Sequence, residues 1–78
     1  MVNKDKFLIN FKTLFDEEDI SLITLNTKFK DLDEWDSMTS LSLIALFDSE
    51  YNLTINGDDI LSSETVNDLY NLLLKLYE

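Results

Sequence analysis

The sequence predicts a small all-α protein. The expected architecture is an antiparallel bundle of three longer helices and one short helix, with a long loop between helices 1 and 2. Three observations carry this. Apolar residues recur at three- and four-residue steps in three separate stretches. One glycine and no proline leave little to break those stretches, and nothing resembles an interdomain linker. There is no cysteine, so a chain of 78 residues must hold its modest core by helix packing rather than by disulfides. An apolar content of 45% places it among globular rather than disordered chains.

The first helix is expected over 4–15, with Asn3 as its cap. Phe7, Leu8, Phe11, Leu14 and Phe15 form one stripe at helical spacing, which reads as core. Asp16-Glu17-Glu18-Asp19 then opposes the helix dipole and is expected to end the helix in a solvated turn. Residues 20–34 read as a long ordered loop, because Ile20, Leu22, Ile23, Leu25, Phe29 and Leu32 are too many apolar groups for a free linker. Thr24 to Thr27 has strand character, but no second strand is available to pair with it. The second helix is expected over 37–51, after Asp36 as cap. Leu43, Ile44, Phe47 and Tyr51 share one side of it, and Met38, Leu41 and Ala45 another that grades into Asp48. Leu46 is ambiguous between the two. Asn56 can cap a short helix through Leu61. Ser62 or Ser63 is expected to start the last helix, whose core positions are Val66, Leu69, Tyr70, Leu73, Leu76 and Tyr77.

Composition removes whole classes of chemistry. With no His and no Cys there is no Ser-His-Asp triad, no thiolate nucleophile and no zinc site of the usual kind. All six bases are Lys, so no guanidinium can clamp a phosphate. A self-contained hydrolase or transferase is not expected. The formal charge of −10, with no base from Asp31 to Leu74, argues against nucleic acid and for partners with basic patches. No apolar run reaches the ~20 residues of a membrane span, and the start of the chain lacks a signal peptide's apolar segment. A cytoplasmic monomer is the expectation. Asp31, Asp33, Glu34 and Asp36 crowd four carboxylates together; they read as a solvated acidic loop that attracts a divalent cation at most weakly, so no metal site is assigned. Asn52 to Gly57 faintly echoes a calcium loop, but position twelve would be Ser63 rather than Glu.

The chain is organised around Glu34-Trp35-Asp36-Ser37-Met38, followed by the apolar run from Leu41 to Phe47. Asp36 as cap places Ser37 on the first helical turn, at an electropositive end where a phosphate is favoured by the dipole and free N–H groups. The apolar stripe of Met38, Leu41 and Ala45 beside this serine suggests a docking surface, or else a central helix buried on two sides.

Asp36-Ser37-Met38, the helix after it, Glu50-Tyr51, Ile55 and Thr65-Val66 resemble the acyl carrier proteins. So do the Phe/Leu stripe of the first helix, the loop holding Phe29 and Leu32, and the chain's length and acidity. The resemblance covers nearly the whole chain. It implies a stand-alone acyl-carrier domain over 1–78, not an enzyme, with 4'-phosphopantetheine attached to Ser37 by a phosphopantetheinyl transferase. It further implies cargo held as a thioester, an acyl-loading ligase and other biosynthetic enzymes as partners, and work in fatty acid, polyketide or related specialised biosynthesis. Met38, Leu41, Ala45 and Asp48 are the expected partner contacts. Thr39 and Ser42 stand where fatty-acid carriers usually have acids, so docking is expected to rely more on apolar contact. Met38 also resembles the residue after the serine in D-alanyl carriers, which leaves a D-alanyl or aminoacyl carrier as an alternative. A small helical interaction module with no covalent cofactor is the alternative outside the carriers.

Overall fold

The computed structural model describes residues 3–15 and 20–77. Among them the chain forms α1 (Lys4–Lys12), α2 (Ser37–Tyr51), α3 (Gly57–Leu61) and α4 (Val66–Tyr77). Two 3-10 turns, Ile20–Leu22 and Phe29–Asp31, punctuate the loop between α1 and α2. This is the all-α bundle expected from the sequence, with α1 packed on both α2 and α4.

Asn3 caps α1, its side-chain oxygen accepting from the N–H groups of Asp5 and Lys6 at 2.8 and 3.2 Å. The helix ends at Lys12, three residues earlier than expected. Thr13 is the reason: its hydroxyl donates to the Asn10 carbonyl at 2.6 Å, and the N–H groups of Thr13, Leu14 and Phe15 reach back only three residues. Phe15 still turns into the core. The acidic run Asp16-Glu17-Glu18-Asp19, expected to end this helix, lies outside the described residues.

Aromatic rings join the elements. Phe7 is fully buried and contacts Phe47 and Tyr51 of α2 and Tyr70 of α4, at centroid distances of 6.0, 6.2 and 5.9 Å. Phe11 meets Phe29, and Phe29 meets Trp35 edge-on at 4.8 Å, so a line of rings ties the loop to α1. Each ring buried in this way contributes about 1.5–3 kcal/mol through lost apolar exposure. Across the helix pair, Asn10 Nδ2 donates to Tyr51 Oη at 2.9 Å.

The loop is anchored as its composition implies. Ile23 and Phe29 are buried, and Leu25 and Leu32 pack against the core. Leu22 and Ile20 stay exposed. Residues 24–27 pair with no strand among the described residues, yet they do have a backbone partner. Their partner is the start of α4: the N–H groups of Val66 and Asn67 donate to the carbonyls of Thr27 and Leu25 at 3.0 and 2.8 Å. Helix starts carry N–H groups with no intrahelical acceptor, and here the loop supplies one for two of them.

α4 also starts later than expected. Ser62 and Ser63 do not cap it; both hydroxyls donate to the Asp59 carbonyl at 3.0 Å and finish α3 instead. The α4 cap is Thr65, whose hydroxyl accepts from Asp68 N–H at 3.2 Å while the Asp68 carboxylate accepts from Thr65 N–H at 3.0 Å. α3 has the same reciprocal device between Asn56 and Asp59. The stretch that faintly echoed a calcium loop is thus two helix ends. Asn52, at φ 54°, closes α2 in the left-handed region that Asn tolerates, and Asn56 opens α3. Along α4, Val66, Leu69, Tyr70 and Leu73 are buried, while Leu76 and Tyr77 are exposed.

Candidate functional site at the start of the longest helix

α2 begins at Ser37 and runs to Tyr51, as its sequence predicts. Asp36 has extended backbone and its carboxylate accepts from Thr39 N–H at 2.9 Å. That hydrogen bond, with the Thr39 hydroxyl and the Met38 N–H, holds the Asp36 carboxyl below its ordinary range, against a small opposing effect of burial. Asp36 is therefore an ionised cap at neutral pH, one residue before Ser37.

The hydroxyls around this helix start are not equivalent. Thr39 Oγ1 points back to the Glu34 carbonyl at 2.9 Å and to the Asp36 carboxylate at 3.1 Å. Ser40 Oγ donates to the Asp36 carbonyl at 3.2 Å. Ser37 is exposed, and among the described residues its hydroxyl has no hydrogen-bond partner. Of the three hydroxyls at this turn, those of Thr39 and Ser40 are thus engaged internally. No His or Cys exists in the chain to activate the Ser37 hydroxyl.

The two sides of α2 separate cleanly. Leu43 and Phe47 are buried, and Ile44, Leu46 and Tyr51 pack against the core. Leu46 thus sides with the bundle. Met38 and Leu41 are 75% and 65% exposed, and Ala45 and Asp48 are exposed as well. They follow one another at steps of three, four and three, which lays a single strip along the helix for ~15 Å. The strip begins one residue after Ser37.

Asp31, Asp33 and Asp36 are exposed and Glu34 is half-buried. Among the described residues, no three carboxylates are arranged to hold a metal ion. Lys30, just before this acidic stretch, donates from Nζ to the Leu61 carbonyl at 3.0 Å and so ties the loop to α3. Sequence reasoning missed Thr39, treating it only as an absent acid. The spacing Asp36-x-x-Thr39 carried the signal, since it places a hydroxyl at the third residue of a capped helix.

Fold and site together define a small all-α domain that presents one exposed serine hydroxyl on the first residue of its longest described helix. A family model described as phosphopantetheine attachment site matches residues 11–73, which takes in all of α2 and α3. The chain belongs to that family, the carriers of the acyl carrier protein type. Its members are non-catalytic and carry 4'-phosphopantetheine covalently on a serine. They work with phosphopantetheinyl transferases and biosynthetic enzymes. No curated protein matches the chain. Among the described residues no helix is long and apolar enough to cross a membrane.

Proposed function

We propose that residues 1–78 act as one acyl-carrier domain and that Ser37 Oγ is the attachment point of 4'-phosphopantetheine. The supporting observation is the exposed hydroxyl on the first residue of α2, without a hydrogen-bond partner among the described residues. The site suits the group. A phosphodiester on Ser37 lies at the positive end of a 15-residue helix, and its exposure leaves room for a long arm. Asp36 fixes the start of the helix. Ser37 supplies only the accepting oxygen, and a phosphopantetheinyl transferase supplies activation. When bound, the prosthetic group supplies a terminal thiol that holds cargo as a thioester, which a chain without cysteine cannot do.

Met38, Leu41, Ala45 and Asp48 form the partner contact, engaged by a loading ligase and by biosynthetic enzymes with basic docking patches. Contact is brief and of small area, as suits a shuttle. The pathway is a fatty acid, polyketide or related specialised biosynthesis in the cytoplasm. Incubation with coenzyme A, magnesium and a permissive transferase, followed by intact-protein mass spectrometry, is the test. One phosphopantetheine adduct, lost in Ser37→Ala, supports the proposal. No adduct leaves a helical interaction module without cofactor. Loading of the modified protein by D-alanine or aminoacyl ligases, in preference to acyl ligases, would reassign the cargo.

A further inference from the structure

The hydrogen bond from Thr39 to Glu34 spans the serine. Its donor lies two residues after Ser37 and its acceptor three residues before. The chain from 34 to 39 is thereby closed into a small ring, with Ser37 inside it. The same hydroxyl lies 3.1 Å from the Asp36 carboxylate, and Thr39 N–H donates to that carboxylate at 2.9 Å. Trp35 N–H donates to the Leu32 carbonyl at 3.0 Å, which carries the restraint back into the anchored part of the loop. An ordinary capping aspartate restrains only the chain that follows it. Here the approach to the helix and its first turn are locked to each other.

We propose that Thr39 is a positioning residue for modification of Ser37: its hydroxyl fixes the backbone on both sides of the serine and so sets the direction in which Ser37 Oγ is presented. This rests on the reading of Ser37 as the attachment point. In the transfer, Ser37 Oγ forms a bond to the phosphorus of coenzyme A that bears pantetheine. The phosphoanhydride bond breaks, the adenosine-bearing phosphate leaves, and the Oγ proton passes to a base on the transferase. Such a displacement needs the attacking oxygen in line with the leaving group, and small misplacements of a reacting atom are costly. Thr39 touches no reacting atom and acts through the Glu34 carbonyl and the capping Asp36.

The test uses the full chain, coenzyme A, magnesium and a permissive phosphopantetheinyl transferase, at a temperature where circular dichroism shows all variants equally helical. Thr39→Val keeps the β-branched shape and removes the hydroxyl. It is expected to lower kcat about tenfold, with KM for the carrier within about twofold of the parent. Thr39→Ala removes the same hydroxyl in a better helix former and is expected to show the same fall. Thr39→Ser keeps the hydroxyl and is expected to restore kcat to within about threefold. Parental kcat in Thr39→Val and Thr39→Ala overturns the proposal, as does Thr39→Ser impaired as badly as Thr39→Val. A rise in KM at unchanged kcat also overturns it, because it assigns Thr39 to docking. Failure of the parent protein to be modified on Ser37 instead overturns the attachment reading itself.

Discussion

Phe29 is the residue through which the loop delivering Ser37 is held, and Phe29→Leu measures how firmly. The ring is fully buried between Phe11 and Trp35, at centroid distances of 6.1 and 4.8 Å and interplanar angles of 73° and 70°. Leucine keeps an apolar group in place but ends both edge-to-face contacts. Each such pair contributes about 0.5–1.5 kcal/mol beyond buried area, so the loss is about 1–3 kcal/mol before any cost of the remaining void. A domain of 78 residues has a total stability of about 4–12 kcal/mol, so the loss is a substantial share. At 4–8 °C per kcal/mol for a domain of this size, Tm falls by roughly 4–24 °C. The assay is thermal unfolding followed by circular dichroism and by tryptophan emission. Trp35 is the sole tryptophan, so its emission reports on this loop and is expected to shift red in the variant. Leu22→Ala, in the same loop but 74% exposed, is the control and changes stability by no more than about 0.5 kcal/mol. A Phe29→Leu protein that melts within about 2 °C of the parent refutes the aromatic line as the loop's anchor.

Three further outcomes follow from other parts of the fold. The Asp68 carboxyl is held below its ordinary value of 3.8 by the N–H groups of Thr65 and Glu64, so its contribution is fully present above that value and is lost as pH falls through the lower folded value; Asp68→Asn melts below the parent at pH 7, the gap closes below about pH 4, and a gap independent of pH contradicts the capping account. Gly57 needs no special backbone conformation and an added Cβ meets nothing within 4 Å, so Gly57→Ala stabilises by about 0.4–1 kcal/mol, checked by chemical denaturation; a loss of stability contradicts it. Leu41→Ala leaves stability unchanged to within about 0.5 kcal/mol but raises KM with the transferase, and equal KM values remove Leu41 from the docking strip.

Much of the site was legible because it is local. The bounds of α2 follow from a capping aspartate at one end and Asn52, suited to the left-handed region, at the other. The two faces of that helix follow from spacing alone, but spacing leaves open whether the second face is buried, and only the structure shows Met38 and Leu41 exposed. What escaped the sequence depends on competition or distance. Thr13 ends α1 early because its hydroxyl competes for a carbonyl that periodicity assigns to the helix. Ser62, Ser63 and Thr65 are all credible caps, and only the reciprocal pairing of Thr65 with Asp68 decides among them. The pairing of Leu25 and Thr27 with the start of α4 joins segments about forty residues apart, beyond the reach of any local pattern. Thr39 leaves no periodic or charge signal, because its bond to the Glu34 carbonyl depends on how the loop folds back over the helix start.

Which oxygen receives the prosthetic group is answered most directly by peptide-level mass spectrometry. The modified protein is digested and the adduct is located by fragmentation within the stretch containing Ser37, Thr39, Ser40 and Ser42. The prediction is a single phosphopantetheine on Ser37, and none anywhere in Ser37→Ala. An adduct on Ser40 or Ser42, or one that survives in Ser37→Ala, contradicts it.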